Sequence, residues 1–243
     1  MSSLIGRVRL HLVGRESPRA DLDASEHGDD GSSVASPHLV NRLDRETSGV
    51  VIVAKNSIIA GELGKILEGR AIEKEYRAIV HGHVAAEQGI IDAPLGKDEA
   101  SIVAIKDCVR PDGVLSQTEF WVERRFSRPS TFSSQLSTFS LLRIQPRTGR
   151  KHQIRIHLAH LGHPIMGDKL YGGDEDSYLA LVQQRLTDEQ RAKLIFENHA
   201  LHAGAVRFTW RDQLREFTCV PEPWFTGFLC EDKSICGKIA QGV

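Results

Sequence analysis

Residues 38–55 of the chain read HLVNRLDRETSGVVIVAK, and this stretch predicts a charged turn that leads into a strand. Four charged side chains are crowded into five positions of the turn: Arg42, Asp44, Arg45 and Glu46. The unbroken apolar run at residues 50–54 is typical of a buried strand. Because burial disfavours an ionised carboxylate and a neighbouring arginine favours it, we expect a cation to contact Asp44.

The charges around Asp44 have two interpretations. One is a salt bridge that stabilises the turn, since ion pairs in such positions are often structural. The other is catalysis, because an ionised and positioned aspartate is what nucleophilic catalysis requires. The residue types alone leave both interpretations open.

The segment at residues 146–164 reads PRTGRKHQIRIHLAHLGHP and predicts a helix with a basic beginning. Thr148 is expected to cap this helix and Gly162 to end it. Three apolar side chains at helical spacing form its predicted buried face: Ile154, Leu158 and Leu161.

Five cations without an intervening acid lie in residues 143–155: Arg143, Arg147, Arg150, Lys151 and Arg155. The whole chain has 31 Lys and Arg against 32 Asp and Glu, and this net charge of −1 gives no global attraction to nucleic acid. An RNA-binding surface must then be a local patch, in which basic side chains and free N–H groups at a helix N-terminus bind phosphate. A solvated basic face would have the same sequence.

Residues 73–82, EKEYRAIVHG, predict a strand. Alternation places Tyr76, Ala78 and Val80 on one face of the sheet. By itself this pattern is compatible with Tyr76 as a core aromatic residue whose hydroxyl lies at the sheet edge.

The remaining elements are predicted from periodicity and turn signals. We expect a helix from Asn56 or Ser57 to Gly69 and strands at residues 118–126 and 137–145, with a polar loop at 127–135 between them. Helices are expected within residues 178–197, with a capping box at Thr187 and Gln190, and a closing hairpin at residues 199–220.

Three motifs occur in an order that resembles the RluA-type pseudouridine synthases. They are RLDRETSG at residues 42–49, KEYRAIVHG at residues 74–82 and TGRKHQIRIH at residues 148–157. The resemblance extends from about residue 38 to about residue 228. It implies a single α+β domain: a mixed, mostly antiparallel sheet with flanking helices and a central cleft.

The resemblance also implies an activity, the isomerisation of uridine to pseudouridine in ribosomal, transfer or messenger RNA. It makes Asp44 the catalytic nucleophile or base, Arg155 its ion-pair partner, and Tyr76 the residue that stacks on the target uracil. The residues implied to contact RNA are Arg42, Arg45, Arg147, Arg150, Lys151 and His152. No cofactor is expected, because the bond that is exchanged lies within one nucleotide.

Two features depart from the family pattern. Residues 1–37 contain no Lys-Pro-x-Gly motif, so the family's first strand is expected to be replaced or missing, and Asn41 stands where the family most often has histidine. These departures motivate an alternative, a catalytically impaired RNA-binding relative that acts in RNA or ribosome assembly. A hydrolase with an aspartate nucleophile is not favoured, because a phosphate-binding glycine loop and a paired acid are both missing from the sequence.

Three parts of the chain are predicted. Residues 1–37 form an N-terminal segment with a partly disordered acidic loop, residues 38–230 the catalytic domain, and residues 231–243 a loose tail. The sequence has no apolar run of the ~18–20 residues that a membrane span needs. We expect an intracellular, soluble monomer that binds RNA and no membrane. The cytoplasm is the favoured compartment, with the nucleus and the mitochondrion as alternatives.

No metal is expected. His157, His160 and His163 are spaced three residues apart, but this spacing spirals around a helix and no acid or cysteine joins them. His81 and His83 are close together but have no third ligand near them.

Overall fold

The structure is a computed structural model that describes residues 36–129 and 136–230, together with Val8. The predictions for the acidic segment and the C-terminal tail lie outside the described residues. In the described part of the chain, no helix is both long enough and apolar enough to cross a membrane.

The described elements follow one another as strands and short helices. The strands are β1 His38–Leu39, β2 Ser48–Gly49, β3 Val53–Ala54, β4 Glu73–His81, β5 Gln88–Asp92, β6 Leu95–Lys97, β7 Asp107–Val109, β8 Gln117–Pro129, β9 Leu136–Pro146, β10 Leu201–Trp210 and β11 Gln213–Thr218. The helices are α1 Ser57–Glu68, α2 Gln153–His160, α3 Asp176–Val182, α4 Asp188–Leu194 and α5 Pro223–Leu229.

The chain divides into two compact units, of which the first comprises Met1–Arg42 and Val51–Ala71 and the second comprises Leu43–Val50 and Ile72–Val243. In the first unit β1 pairs antiparallel with β3, and α1 follows. The side chain of Asn56 accepts a hydrogen bond from the N–H of Ile59 at 2.9 Å, and Gly69 is the C-cap, so the predicted bounds of this helix are confirmed. The domain bounds predicted from the sequence stay a prediction.

The second unit is built around a sheet with the strand order β11-β10-β4-β9-β8-β5. These neighbours are antiparallel, whereas β2 pairs with β10 in parallel. Strands β6 and β7 form a separate two-stranded ribbon. This mixed, mostly antiparallel sheet with helices confirms the predicted α+β class, and β10 and β11 form the predicted closing hairpin.

Strand β4 lies at the centre of the core. Its residues Ala78, Ile79 and Val80 are all fully buried, and because successive residues point to opposite faces, both faces of β4 are covered. The core cluster also contains Leu158 of α2 and Phe225 of α5. The strand that carries Tyr76 is therefore fixed by packing.

The prediction of one buried strand at residues 50–54 is wrong. Residues 48–49 form β2, residues 53–54 form β3, and of residues 50–54 only Ala54 is fully buried. The run is divided because its two ends bond to different strands: the N–H of Val50 donates to the Ala203 carbonyl oxygen of β10 at 2.9 Å, whereas Val53 and Ala54 pair with β1.

The predicted bounds of the basic helix are also wrong. The helix begins at Gln153, and His152 is its N-cap in the left-handed conformation, with φ 53°. Thr148 does not cap it; its hydroxyl donates instead to the side-chain oxygen of Gln153 at 2.7 Å. Ile154 and Leu158 are buried as predicted, but Leu161 lies after the helix and is exposed.

The remaining predictions hold with small changes. Strands β8 and β9 include the predicted segments and are longer than predicted, so that residues 127–129 of the expected loop belong to β8. Residues 130–135 lie outside the described part. Thr187 and Gln190 form the predicted capping box of α4.

Candidate active site

Asp44 lies in a short turn that leads into β2. The turn is closed by the N–H of Thr47, which donates to the carbonyl oxygen of Asp44 at 3.1 Å. Gly49 then passes very close to β10: its φ is +113°, and a Cβ there would lie 2.1 Å from the carbonyl oxygen of Ala203. Only glycine tolerates this conformation and this approach, so Gly49 determines where the Asp44 turn meets the sheet.

Ala203 is the point at which the turn and the central strand come together. It is paired with Gly49 of β2 on one side and with Tyr76 of β4 on the other. The turn that carries Asp44 and the strand that carries Tyr76 are therefore brought to the same part of the sheet, although they are far apart in the sequence.

Arg155, in the first turn of α2, is the cation that contacts Asp44. Its Nη1 donates to Oδ2 of Asp44 at 3.1 Å. The Arg155 side chain is 9% exposed and the Asp44 side chain is 26% exposed. The expected ion pair is thus present, buried on the arginine side and open to solvent on the aspartate side.

Asp168 holds the other edge of the Arg155 guanidinium, and the sequence did not identify this residue. Nε of Arg155 donates to Oδ2 of Asp168 at 2.7 Å, and Nη2 donates to Oδ1 at 2.9 Å. The Asp168 side chain is 0% exposed and also accepts the backbone N–H groups of Leu170 and Tyr171. With two of its nitrogens bound in this way, Arg155 can direct only Nη1 at Asp44.

Arg155 and Asp168 are both charged at neutral pH. Burial raises the pKa of Asp168, but the hydrogen bonds and charge of Arg155 lower it more, to about 2. Burial lowers the pKa of Arg155, but Asp168 and then Asp44 raise it above its usual value. The Tyr171 ring packs against the guanidinium at 5.0 Å, which adds a cation–π contact.

Tyr76 is a neutral phenol in this site. Burial, and then the negative charge of Asp44, raise the pKa of Tyr76 to about 12. The hydroxyl therefore stays protonated at neutral pH and is a poor proton acceptor. The ring is half-buried, and its remaining surface is aromatic.

Polar side chains hold the turn after Asp44. Nζ of Lys169 donates to Oε2 of Glu46 at 2.8 Å, and the Thr47 hydroxyl lies 2.7 Å from Nε2 of His199. Burial lowers the pKa of His199 and the nearby Arg155 charge lowers it further, to about 4, so this imidazole is neutral at pH 7. Sequence analysis missed Lys169 and His199 as well as Asp168.

One signal in the sequence could have indicated Asp168 and Lys169. They lie together in IMGDKLY, residues 165–171, where Ile165, Met166 and Leu170 are apolar. Charges within an otherwise buried apolar segment need partners, and these partners are usually other charges.

The expectation of a patch of five cations is wrong in part, because acids from neighbouring strands reach three of them. Nη1 of Arg143 lies 3.8 Å from Oε2 of Glu75 of β4. Nε of Arg147 donates to Glu119 of β8 at 2.9 Å, and Nζ of Lys151 lies 2.8 Å from Asp107 of β7. Arg155 is buried against its two carboxylates.

Two of the predicted RNA-contacting arginines have exposed guanidinium groups without an ion-pair partner in the described part of the chain. Arg45 and Arg150 are exposed, and neither forms an ion pair with the residues that the structure describes. His152 is half-buried with Nδ1 3.0 Å from the Tyr171 hydroxyl, and burial followed by the Arg155 charge lowers its pKa. Arg42 is exposed in the first unit. Contact of these residues with RNA stays a prediction.

The histidines of the third motif have ordinary structural environments. His157 is fully buried between the Thr118 hydroxyl, at 2.8 Å, and the Ala93 carbonyl oxygen, at 2.9 Å, and burial lowers its pKa. Within residues 36–129 and 136–230, no three His, Cys, Asp or Glu side chains are grouped so that they could hold a metal ion.

Asn41, which departs from the family pattern, has a structural role in the first unit. It is buried, and its Oδ1 accepts the N–H of Ile52 at 2.6 Å. This bond ties the chain before the turn to the chain after it.

Comparison with known proteins gives the same family as the motifs. Residues 17–160 match the model of the RNA pseudouridylate synthase family. The chain is 41% identical over 172 residues to a Bacillus subtilis (strain 168) protein named "Uncharacterized RNA pseudouridine synthase YjbO", covering 70% of this chain and 56% of that protein. It is 34% identical over 178 residues to the ribosomal large subunit pseudouridine synthase D of Zymomonas mobilis, covering 72% and 49%.

A solved structure has the same fold. The human RNA pseudouridylate synthase domain containing 1 superposes with a TM-score of 0.62 at 24% identity, covering 85% of this chain and 81% of that one. The fold and the matched motifs define an RNA pseudouridylate synthase domain, and the chain belongs to the RNA pseudouridylate synthase family. It spans about half the length of the curated relatives above.

Proposed function

We propose that the protein isomerises uridine to pseudouridine in RNA, with Asp44, Tyr76 and Arg155 as its catalytic residues. The observation that supports this most directly is the contact between Asp44 and Arg155, because the carboxylate is held at 3.1 Å from a buried cation and is still 26% exposed. A purely structural ion pair does not need an open carboxylate. Family membership supports the same reaction.

The reaction exchanges one bond within a nucleotide. The bond between N1 of uracil and C1′ of ribose breaks, and a bond between C5 and C1′ forms. Asp44 starts the exchange by attacking C1′ or by removing a ribose proton. In the first case the bond between Asp44 and C1′ breaks again as C5 of the turned uracil joins C1′; in the second case the proton returns to the ribose. N1 takes up a proton, and the proton on C5 is lost to water. Because no electrons or phosphoryl groups are transferred, the reaction consumes no cofactor.

Arg155 and Tyr76 support this chemistry without taking part in the bond exchange. Arg155 holds the Asp44 carboxylate in place, which reduces the entropic cost of a productive encounter. Tyr76 stacks on the uracil, an interaction worth ~1–3 kcal/mol per base, and its neutral hydroxyl can donate a hydrogen bond.

The target uridine must leave its helix before Asp44 can reach it. Flipping a nucleotide costs a few kcal/mol, which contacts to phosphate can offset. Arg45 and Arg150 are the cations best suited to this, because they are exposed and form no ion pair within the described residues. Four further residues are proposed to contact RNA: Arg42, His152, Arg147 and Lys151. Arg147 and Lys151 would do so by exchanging their carboxylate partners for phosphate.

The first substrate to test is ribosomal RNA, because one relative is named for the ribosomal large subunit. Transfer and messenger RNA also contain uridines that can flip. We propose that a monomer is sufficient, since one chain supplies every residue of the proposed site, and that it acts inside the cell, where these RNAs are found.

The proposal can be tested by tritium release. Large-subunit ribosomal RNA and transfer RNA transcripts labelled with tritium at C5 of uridine lose the label when C5 joins the ribose. The wild-type protein should release tritium, and Asp44→Asn should release none while its Kd for the same RNA stays within about twofold of wild type. Turnover by Asp44→Asn would refute its role. A wild-type protein that binds these RNAs without releasing tritium would instead support the RNA-binding alternative.

A further inference from the structure

Two adjacent residues in the segment after α2 contact Arg155 and the turn that carries Asp44, one residue each. Asp168 binds Arg155 through two hydrogen bonds, at 2.7 Å and 2.9 Å. Lys169 binds Glu46, which lies two residues after Asp44. One short segment is therefore attached both to the helix that carries Arg155 and to the turn that carries Asp44.

Lys169 is a buried cation whose ammonium group donates three hydrogen bonds, one of them to the turn that carries Asp44. Its side chain is 4% exposed, and its Nζ donates to Oε2 of Glu46 at 2.8 Å, to the Gly167 carbonyl oxygen at 3.4 Å and to the Glu197 carbonyl oxygen. A buried lysine is costly unless it is paired, and removing one partner leaves the other charge uncompensated. Glu46 is its ion-pair partner in the described residues.

The segment that carries both residues is itself rigid. Met166 is bound to the sheet on both sides: its N–H donates to the Ile79 carbonyl oxygen at 3.0 Å, and its carbonyl oxygen accepts the N–H of Ala200 at 2.8 Å. Gly167 has φ +74°, and a Cβ there would lie 2.7 Å from the Asn198 carbonyl oxygen. The backbone is thus fixed immediately before Asp168.

We propose that Lys169 is a positioning residue for the pseudouridine synthase reaction, and that it acts through Glu46 to hold the Asp44 turn at its distance from Arg155. Asp168 fixes the guanidinium, and Lys169 fixes the turn, so their rigid shared backbone sets the distance between the two catalytic side chains. This inference rests on the proposed function. It assigns no contact with RNA to either Lys169 or Glu46.

The test compares Glu46→Gln, Lys169→Met and the double variant with wild type. Single-turnover tritium release at saturating RNA measures the rate, filter binding measures the Kd for RNA, and thermal unfolding measures stability. Each single variant should lower the rate by about 10- to 100-fold, because a small misplacement of a catalytic group has effects of this size. The double variant should lose no more than the worse single variant, because both remove the same contact.

The matched control is Lys193→Met. Lys193 also forms an ion pair, with Glu189 at 2.7 Å, but both side chains are exposed, and the pair lies within α4. This variant should keep the wild-type rate. Because Glu46 is only partly buried, Glu46→Gln keeps the test valid even if Lys169→Met does not fold.

A role limited to stability would lower the unfolding temperature and leave the rate of the folded protein unchanged, and that result would overturn the proposal. A second measurement does not depend on RNA: hydrogen exchange of the Thr47 N–H, which closes the Asp44 turn, should be faster in Glu46→Gln than in wild type and in Lys193→Met. Unchanged exchange would also overturn the proposal. If wild type released no tritium, the proposed function would fail, whereas exchange would still report whether Lys169 holds the turn.

Discussion

Nη1 of Arg155 lies 3.1 Å from Oδ2 of Asp44, although the two residues are 111 positions apart in the sequence. The contact persists because each side has its own anchor. The Asp44 turn is attached to the sheet through Gly49 and Ala203, and α2 places Leu158 in the core. Because the position of each residue depends on its own anchor, substitutions at residues that do not contact RNA should still alter the reaction.

Asp168→Asn should destabilise the protein and lower the rate of pseudouridine formation. Asparagine has one acceptor oxygen and no charge, so it cannot bind both Nε and Nη2 of Arg155 in the same way. Removing a partner from a buried ion pair costs ~3–5 kcal/mol, and urea unfolding at pH 7 should give a loss of this order.

The control for this variant is Asp112→Asn. Asp112 forms a similar contact with Nε of Arg110 at 2.6 Å, but on the exposed surface. Its change in the free energy of unfolding should be much smaller, since water screens exposed pairs. Equal losses in the two variants would show that the burial of Asp168 has no special effect.

The free energy of unfolding should fall as the pH drops from 6.5 towards 4. Burial, and then the Arg155 charge, lower the pKa of His199 from 6.5 to about 4. In this window the unfolded chain binds a proton at His199 that the folded protein does not, so protonation favours unfolding. At about 1.4 kcal/mol per pKa unit, the contribution of His199 amounts to about 2 kcal/mol between pH 6.5 and pH 5.

Urea unfolding of wild type and His199→Gln at pH 7 and pH 5 measures this contribution. Glutamine can keep a hydrogen bond to Thr47 but does not titrate. The variant should therefore lose less stability than wild type over this interval. The same pH dependence in both proteins would show that His199 is not held neutral by the fold.

Local signals in the sequence were sufficient for the elements that are stabilised locally. Asn56 and Gly69 bound α1, and Thr187 and Gln190 cap α4, because caps and capping boxes involve neighbouring residues. Distant pairing was not predictable from periodicity. The run at residues 50–54 is divided because its first residue donates a hydrogen bond to β10 and its last two residues pair with β1, and no feature of the run itself specifies those partners.

In the candidate site, too, the residues within a local motif were predictable and the contacts between distant segments were not. The motif resemblance supplied Asp44, Tyr76 and Arg155, and the structure brings Asp44 and Arg155 into contact. The motif resemblance could not show that Asp107 and Glu119 would neutralise part of the basic segment, because these acids come from other strands. Asp168 escaped notice for the same reason, since its role depends on which cation the fold places beside it.

Tyr76→Phe should keep RNA binding and lower the rate of pseudouridine formation. The ring and its stacking remain, and the loss of one hydrogen bond from a neutral hydroxyl should cost about tenfold in rate. Because the pKa of Tyr76 is raised to about 12, nearly all of the phenol stays neutral between pH 8 and pH 10, and a rate that depends on the neutral hydroxyl should not change with the titration of Tyr76 over this range.

Single-turnover tritium release over this pH range distinguishes a neutral hydroxyl that donates a hydrogen bond from a phenolate that accepts a proton. A rate that rises with pH in wild type but not in Tyr76→Phe would show that Tyr76 acts as a base after all. Tyr76→Ala is the complementary variant, since it removes the ring and should also weaken RNA binding.

Arg150→Ala should weaken RNA binding and flatten its salt dependence more than Arg147→Ala. Both arginines are exposed, but Arg147 is paired with Glu119, whereas Arg150 has no ion pair among the described residues. A phosphate contact made by Arg147 must first replace its carboxylate partner, so less binding energy depends on it. Each phosphate that a protein neutralises contributes about 0.7–0.9 to the slope of log K against log salt concentration, so Arg150→Ala should reduce that slope by about 1. Filter binding between 50 and 200 mM salt measures both variants. A larger loss of slope in Arg147→Ala would contradict this prediction. It would show that RNA displaces Glu119 and that the phosphate-binding surface extends along β8 and β9.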